Sequence, residues 1–317
     1  MSTPTIIVEN LHKYYGGIKA LNGVDLSVEE GMVLGILGPN GAGKTTMIRI
    51  LTTLLRPDKG KVTICGFDVR KQSSEVRARI GLTGQYAAVD EYLTGRENLE
   101  MVGRLYRLNK KDIKYRTEEL LERFDLRDAS NRPVKTYSGG MQRRIDLAMS
   151  LVASPPVLFL DEPTTGLDPR SRLTMWSVIK ELAATDVTVL LTTQYMEEAD
   201  HLSDRIAVID RGQVIAEGTP PELKAKVGSD HIEVVIKEIS DFDSATRLPG
   251  FKTIYVDAKR RSLRIPTING PGDINEILRY FEKLKIEVES LSLDRPTLDD
   301  VFLSITGRTS EEDNNSN

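Results

Sequence analysis

The chain has 317 residues, of which 39% are hydrophobic and 28% charged; this supplies a sizeable core, excludes a disordered polymer, and suits one large domain or two unequal ones. Lysine and arginine (43) nearly balance aspartate and glutamate (47), and the net charge of -4 leaves no basic footprint, so no nucleic-acid partner is expected. One cysteine, Cys65, excludes an internal disulfide, and the longest apolar runs, such as Val187-Thr188-Val189-Leu190-Leu191, are strand-sized, far short of the roughly 20 residues that span a bilayer.

Met1-Ser2-Thr3-Pro4 leads into the strand-like Ile6-Ile7-Val8 with neither the basic region nor the apolar core of a signal peptide, so a cytoplasmic location is expected. From Ile6 to Val28 apolar and polar residues alternate around Tyr14-Tyr15-Gly16-Gly17, as in a partly exposed antiparallel sheet. Tyr15 is a candidate for stacking on a nucleotide base; ordinary strand packing is the alternative.

The apolar run Val33 to Leu37 predicts a buried strand, and Met47 to Leu51 carries helical apolar content. Between them lies Gly38-Pro39-Asn40-Gly41-Ala42-Gly43-Lys44-Thr45-Thr46, the spacing G-x-x-x-x-G-K-T. Glycines let the backbone N–H groups converge on phosphate oxygens, and the helix start adds the positive end of its dipole. Lys44 is placed to reach the outer phosphates and the Thr45 hydroxyl to take a position on Mg²⁺.

A helix ending near Leu55, a turn at Arg56-Pro57-Asp58-Lys59-Gly60 and a strand from Lys61 to Cys65 are expected next, with Cys65 a small buried side chain. Ile80 to Gln85 reads as a short strand, and Gln85 taken alone is an ordinary loop residue. From about Leu93 to Ala153 the pattern turns helical, with amphipathic stretches at Glu97 to Leu108 and Asp112 to Phe124. The intervening Asn109-Lys110-Lys111-Asp112 matches the N-K-x-D guanine-recognition pattern. It follows a helix-like segment rather than a buried strand, and is read as a helix connection capped by Asp112.

Tyr137-Ser138-Gly139-Gly140-Met141-Gln142 opens a helix running to about Leu151, a second anion-binding turn by the same physics. Pro156 to Leu160 is an apolar strand that ends in Asp161-Glu162, acids that a metal ion and an attacking water both require beside a phosphate loop. A helix from Arg170 to Ala184, a strand from Thr188 to Leu191, the polar Thr192-Thr193-Gln194, a helix from Met196 to Leu202 and a hairpin through Arg211-Gly212 follow. This alternation predicts a parallel α/β sheet, left at Lys224 to Ser229.

Residues 230 to 306 carry no phosphate motif. Strands at Ile232 to Ile236, Thr253 to Val256, Leu263 to Ile265 and Glu287 to Leu291 alternate with helices at Asp241 to Leu248 and from about Ile274. The charged turn Lys259-Arg260-Arg261 separates the middle strands, and Asp273 and Glu276 are spaced as a capping box. The order β-α-β-β-α-β predicts a small ferredoxin-like sandwich. A last helix from about Leu298 to Ile305 and a disordered tail from Thr309 complete the expectation.

Taken together, residues 5 to about 226 resemble the ATP-binding subunit of ABC transporters, a P-loop NTPase with a RecA-like core, an antiparallel β subdomain and a helical subdomain. The resemblance implies adenine stacking by Tyr15, a phosphate loop from Gly38 to Thr46, and sensing of metal and membrane partner by Gln85. It also implies a signature at Tyr137 to Gln142, metal binding by Asp161, a catalytic base in Glu162, and a D-loop at Gly166-Leu167-Asp168. ATP and Mg²⁺ are the implied cofactors. Two copies are implied to pair head to tail, with Ser138, Gly139 and Gly140 of one facing the phosphates held by Lys44 of the other. Gln194 stands where the family usually has a switch histidine; it donates a hydrogen bond but takes up no charge near neutral pH, so a pH profile without a histidine limb is expected. Tyr137 and Met141 depart from the usual leucine and glutamine of the signature, with a modest effect expected.

Gln194, the Tyr-Ser-Gly-Gly-Met opening and the ending Arg295 to Leu303 resemble the daunorubicin-resistance branch of multidrug exporters. That branch implies a peripheral subunit on the cytoplasmic face, powering a separate integral membrane permease. The rival is an ABC ATPase acting on ribosomes or DNA. Against it stand the single set of motifs and the short interval between Lys44 and Ser138, which leaves no room for a long coiled coil.

Overall fold

The alternation after Ile6 folds into a hairpin, β1 (Ile6–Tyr15) and β2 (Ile18–Val28), in a computed structural model that describes residues 4–85, 88–226, 230–246, 255–258, 260–267 and 270–306. Its pairs run from Ile6 with Val28 to Tyr15 with Ile18. β3 (Val33–Leu37) follows, then α1 (Lys44–Leu51), β4 (Lys59–Ile64), β5 (Phe67–Asp68), α2 (Ser73–Arg77) and β6 (Ile80–Thr83). The helical segment comprises α3 (Gly95–Leu105), α4 (Lys110–Arg123) and α5 (Gly139–Ser150), with a 3-10 turn at Val134–Thr136. The chain returns through β7 (Val157–Asp161), α6 (Pro169–Ala183), β8 (Thr188–Thr193), α7 (Met196–Leu202), β9 (Arg205–Asp210), β10 (Gln213–Gly218) and α8 (Pro220–Ala225).

A six-stranded sheet, ordered β10-β9-β3-β8-β7-β6, is parallel except for the edge strand β10. Because side chains alternate across a strand, each strand feeds two cores. Leu34, Ile36, Phe159, Leu190 and Ile209 meet α1 and the antiparallel sheet β2-β1-β4-β5. Val33, Leu158, Leu160, Val189 and Leu191 face a second core shared with α5, α6 and the helical segment.

A separate compact unit begins at Pro221. It contains β11 (His231–Ile236), α9 (Ile239–Ala245), β12 (Tyr255–Asp257), β13 (Ser262–Pro266), α10 (Pro271–Leu284), β14 (Val288–Asp294) and α11 (Leu298–Thr306). The antiparallel order β12-β13-β11-β14 with this connectivity is the ferredoxin-like sandwich, and Ile232, Val234, Leu263 and Ile265 pack with Phe242, Ile277 and Phe281.

Local chemistry corrects several expectations. Asn109, not Asp112, caps α4: it is extended (φ -71°, ψ 159°) and its side chain accepts from the Asp112 N–H, which places Asp112 inside the first turn. The Asp273–Glu276 capping box does not form. α10 starts at Pro271 behind Gly270, and Asp273 instead accepts from the Thr267 hydroxyl at 2.5 Å. α1 ends at Leu51, not Leu55, because Thr53 turns left-handed (φ 65°). Cys65 lies past the end of β4 in a tight turn (φ 48°) and is half-buried. Thr253-Ile254, Arg247-Leu248, Lys259, Val227-Gly228-Ser229 and the tail from Thr309 lie outside the described residues, as do Met1-Ser2-Thr3. Among the described residues no helix is long and apolar enough to cross a membrane.

Candidate functional site

Strand β3 runs straight into the glycine loop, and the loop is squeezed between two hairpins. A Cβ on Gly38 would lie 2.2 Å from the Ile209 carbonyl of β9, and one on Gly43 would lie 2.5 Å from the Ala20 carbonyl of β2. Gly43 also caps α1 with φ 109°, a backbone conformation foreign to residues with side chains. The Gly212 N–H donates to the Ala42 carbonyl, which fastens the turn of the second hairpin to the loop.

The result is a cleft of about 410 Å³ lined by Pro39, Asn40, Gly41, Gly43, Lys44, Thr45 and Thr46, with Gln85 and Glu162 opposite. Lys44 is 4% exposed. Its ammonium donates to the carbonyls of Gly38 (2.7 Å) and Pro39 (3.1 Å) and lies 3.5 Å from the Glu162 carboxylate. Burial pulls its pKa down, opposed by the Glu162 and Asp161 charges. A buried cation of this kind is matched to an anionic ligand.

Thr192 at the end of β8 ties the two acids together: its hydroxyl donates to Asp161 Oδ1 at 2.6 Å and accepts from the Glu162 N–H at 3.1 Å. The Thr45 hydroxyl is 3.3 Å from the same Asp161 oxygen, and Gln85 Nε2 is 3.5 Å from Thr45 Oγ1. A hydroxyl, a carboxylate and an amide that can present its oxygen form a hard donor set, suited to Mg²⁺ completed by phosphates and water. Glu162 itself sits in a left-handed conformation (φ 50°), and Thr165 donates to its other carboxylate oxygen.

Other predicted residues stand apart from the cleft. Tyr15 is half-exposed at the hairpin tip, with the Lys13 ammonium 5.7 Å from its ring centroid; its cross-strand neighbour Ile18 lines the cleft instead. Gln194 lies half-buried at the bend after β8, outside the lining set. Ser138 caps α5 by accepting from the Met141 N–H, and with Gly139 it is exposed on the surface and does not line the cleft that holds Lys44. Tyr137 is buried and donates to the Ala129 carbonyl at 2.7 Å, so the departure from leucine anchors the helical segment. Ile18, Lys19, Ala20 and Arg211 line the cleft without having been singled out from the sequence. Only the packing of two hairpins against the loop brings them there.

Glu198 of α7 braces the segment after the acids. It is fully buried, and its Oε1 accepts from the Thr164 hydroxyl (2.7 Å) and the Trp176 indole (3.1 Å). Burial raises its pKa above the ordinary 4.5, against the pull of these hydrogen bonds and Arg172. As pH climbs above 4.5 the folded chain keeps a proton that the unfolded chain has released, so this residue costs stability with rising pH. Glu198→Gln keeps the acceptor oxygen and is expected to gain on the wild type in melting temperature between about pH 5 and 7.5. Parallel melting curves across that range would exclude the effect.

Residues 21–165 match the family described as ABC transporter, and residues 218–306 match the family described as ATP-binding protein DrrA1-3-like, C-terminal domain. The chain is similar to the daunorubicin resistance ATP-binding protein DrrA3 of Streptomyces coeruleorubidus, with 52% identity covering 97% of both chains. It is also similar to the Nod factor export ATP-binding protein I of Ralstonia nicotianae, with 38% identity over 97% of this chain and 95% of the relative. Among solved structures, a dimeric ATP-binding cassette in a post-hydrolysis state with ADP and Pi bound shares 29% identity. It has a TM-score of 0.62, covering 68% of this chain and 98% of that one. The glycine-loop cleft, the strand-end acids and these likenesses agree: the chain belongs to the ATP-hydrolysing, ATP-binding subunits of ABC transporters, in the daunorubicin-resistance branch.

Proposed function

We propose that this chain hydrolyses magnesium-bound ATP in a head-to-tail pair of identical copies and so drives export of a drug, a lipid or a similar cargo through a separate membrane subunit. The carrying observation is that Ser138 and Gly139, exposed at the start of α5, do not line the cleft in which Lys44 of the same chain is buried. A second copy, turned around, offers Ser138 and the α5 N-terminus to the γ-phosphate that Lys44 holds.

The chemistry then follows from named groups. Phosphate oxygens compete with Glu162 for the Lys44 ammonium; once released, the Glu162 carboxylate is free to orient and deprotonate the attacking water. Thr45, Asp161 and Gln85 would hold Mg²⁺, which supplies charge neutralisation on the phosphate oxygens. Tyr15 stacks on adenine beside Ile18, and Gln194 donates a hydrogen bond toward the γ-phosphate without titrating near neutral pH. Residues 1–226 carry this machinery, with the helical segment at about 93–153, and 227–306 form an accessory domain.

The membrane subunit docks beside the Gln85 loop, where Leu54, Leu82, Val102, Tyr106 and Met149 line a groove of about 290 Å³. Leu54 is 66% exposed there, an apolar surface suited to a protein partner. The cargo class rests on relatives whose names attach them to daunorubicin and Nod factor.

Mixing two inactive variants tests the shared site. Lys44→Met and Ser138→Arg should each abolish turnover alone, yet their equimolar mixture should recover activity, because random pairing rebuilds about a quarter of the composite sites. Two dead variants that stay dead when mixed, with heterodimers demonstrably present, would refute the head-to-tail arrangement.

A further inference from the structure

Arg143 is a cation buried where a hydrocarbon would pack more cheaply. It is 8% exposed and lies on the stripe of α5 that also buries Gly140 and Leu147. All three guanidinium nitrogens are used. Nε donates to the Pro163 carbonyl at 2.7 Å, and Nη2 donates to the carbonyls of Asp161 (3.3 Å) and Glu162 (3.2 Å). Nη1 donates to the Gly84 carbonyl at 2.6 Å and lies 3.4 Å from Asp146 Oδ2. The other Asp146 oxygen accepts from the Ala88 N–H at 2.8 Å. One side chain therefore gathers the helix behind the Ser-Gly-Gly turn, the loop flanking Gln85, and the strand end carrying both acids.

Packing alone does not demand this arrangement, since a buried ion pair can be replaced by apolar residues of similar volume with little loss or even a gain in stability. The main chain that Arg143 grips is unusual. Glu162 is left-handed (φ 50°), a conformation that a residue with a side chain keeps only when its surroundings over-determine it. Holding the carbonyls of residues 161, 162 and 163 at once is such a constraint.

We infer that Arg143 is a positioning residue for hydrolysis: it fixes the strained turn that aims the Glu162 carboxylate and, with Asp146, ties the loop bearing Gln85 to the same frame. This rests on Glu162 being the base that activates water. Arg143 does not line the Lys44 cleft, so its loss should spare nucleotide binding and fall on the chemical step.

The test compares the full-length chain with Arg143→Met, Arg143→Lys, Glu162→Gln and the Arg143→Met/Glu162→Gln double variant. Steady-state ATPase kinetics and nucleotide-binding stoichiometry are measured on each. Arg143→Met should lower kcat by about ten- to a hundredfold with KM for ATP within about twofold and stoichiometry intact. Arg143→Lys, which keeps the charge and some donors, should recover part of the loss. The double variant should be no slower than Glu162→Gln, because both changes act through one carboxylate. Unchanged kcat in Arg143→Met, a loss confined to KM, a loss matched by missing nucleotide sites, or multiplicative losses in the double variant would each overturn the inference. If Arg143→Met does not fold, Arg143→Lys and Arg143→Gln carry the same kcat-against-KM comparison. Wild-type turnover in Glu162→Gln removes the base and this inference with it. An inactive Glu162→Gln beside a fully active Arg143→Met removes this inference alone.

Discussion

Glu162→Gln is expected to lower ATP turnover by about 10²–10⁴-fold while leaving nucleotide affinity equal to or tighter than that of the wild type. The amide keeps the shape of the carboxylate and its contact with Thr165, but it cannot accept a proton from water. It also no longer pairs with the Lys44 ammonium, now 3.5 Å away, so phosphate oxygens meet less competition. Closed pairs should therefore accumulate with ATP and persist, visible as a dimer peak in size-exclusion chromatography that the wild type loses as it hydrolyses. Turnover within about threefold of the wild type would assign the proton transfer elsewhere.

Lys44→Met should act at the earlier step. Methionine retains most of the apolar stem, but the phosphate chain loses its buried cation, and ATP affinity is expected to fall by at least about a hundredfold, as for a charge-assisted contact in a water-poor site. The Glu162 carboxylate, 8% exposed, is left without its counter-charge, a loss of about 1–3 kcal/mol in stability. Adding Glu162→Gln to Lys44→Met should return most of that stability and none of the affinity. Titration of a fluorescent ATP analogue and thermal unfolding on the same samples separate the two effects. Undiminished affinity in Lys44→Met would place the phosphates somewhere other than this cleft.

How far residues announced themselves depended on how local their partners are. The placement of the glycine loop between strand and helix, and of Asp161-Glu162 at a strand end, could be read directly, because these elements are consecutive and the glycines must be where the backbone is tight. The ferredoxin-like unit was legible from its element order. Asn109 was missed as a cap because Asn109 and Asp112 both suit helix starts, and only the extended dihedrals of Asn109 decide between them. Arg211 and Ile18 reach the cleft through contacts between segments nearly two hundred positions apart, which no periodicity records. Arg143 and Asp146 did leave a trace: charged residues on the buried stripe of an amphipathic helix break its pattern, and such breaks mark groups with buried partners. The surface position of Ser138 is equally invisible in a single chain's sequence, since its proposed ligand is bound to another copy.

The first collisions that await a side chain at Gly38 or Gly43 are with the Ile209 and Ala20 carbonyls of neighbouring strands, joined at Gly43 by the Leu21 side chain. Intolerance at these two places is thus architectural. A chain under selection by a nucleotide-mimicking inhibitor has no escape through either position, whatever it gains in discrimination. The adaptive routes left to it run along the rim, at Asn40 and Arg211, where new side chains have solvent to grow into.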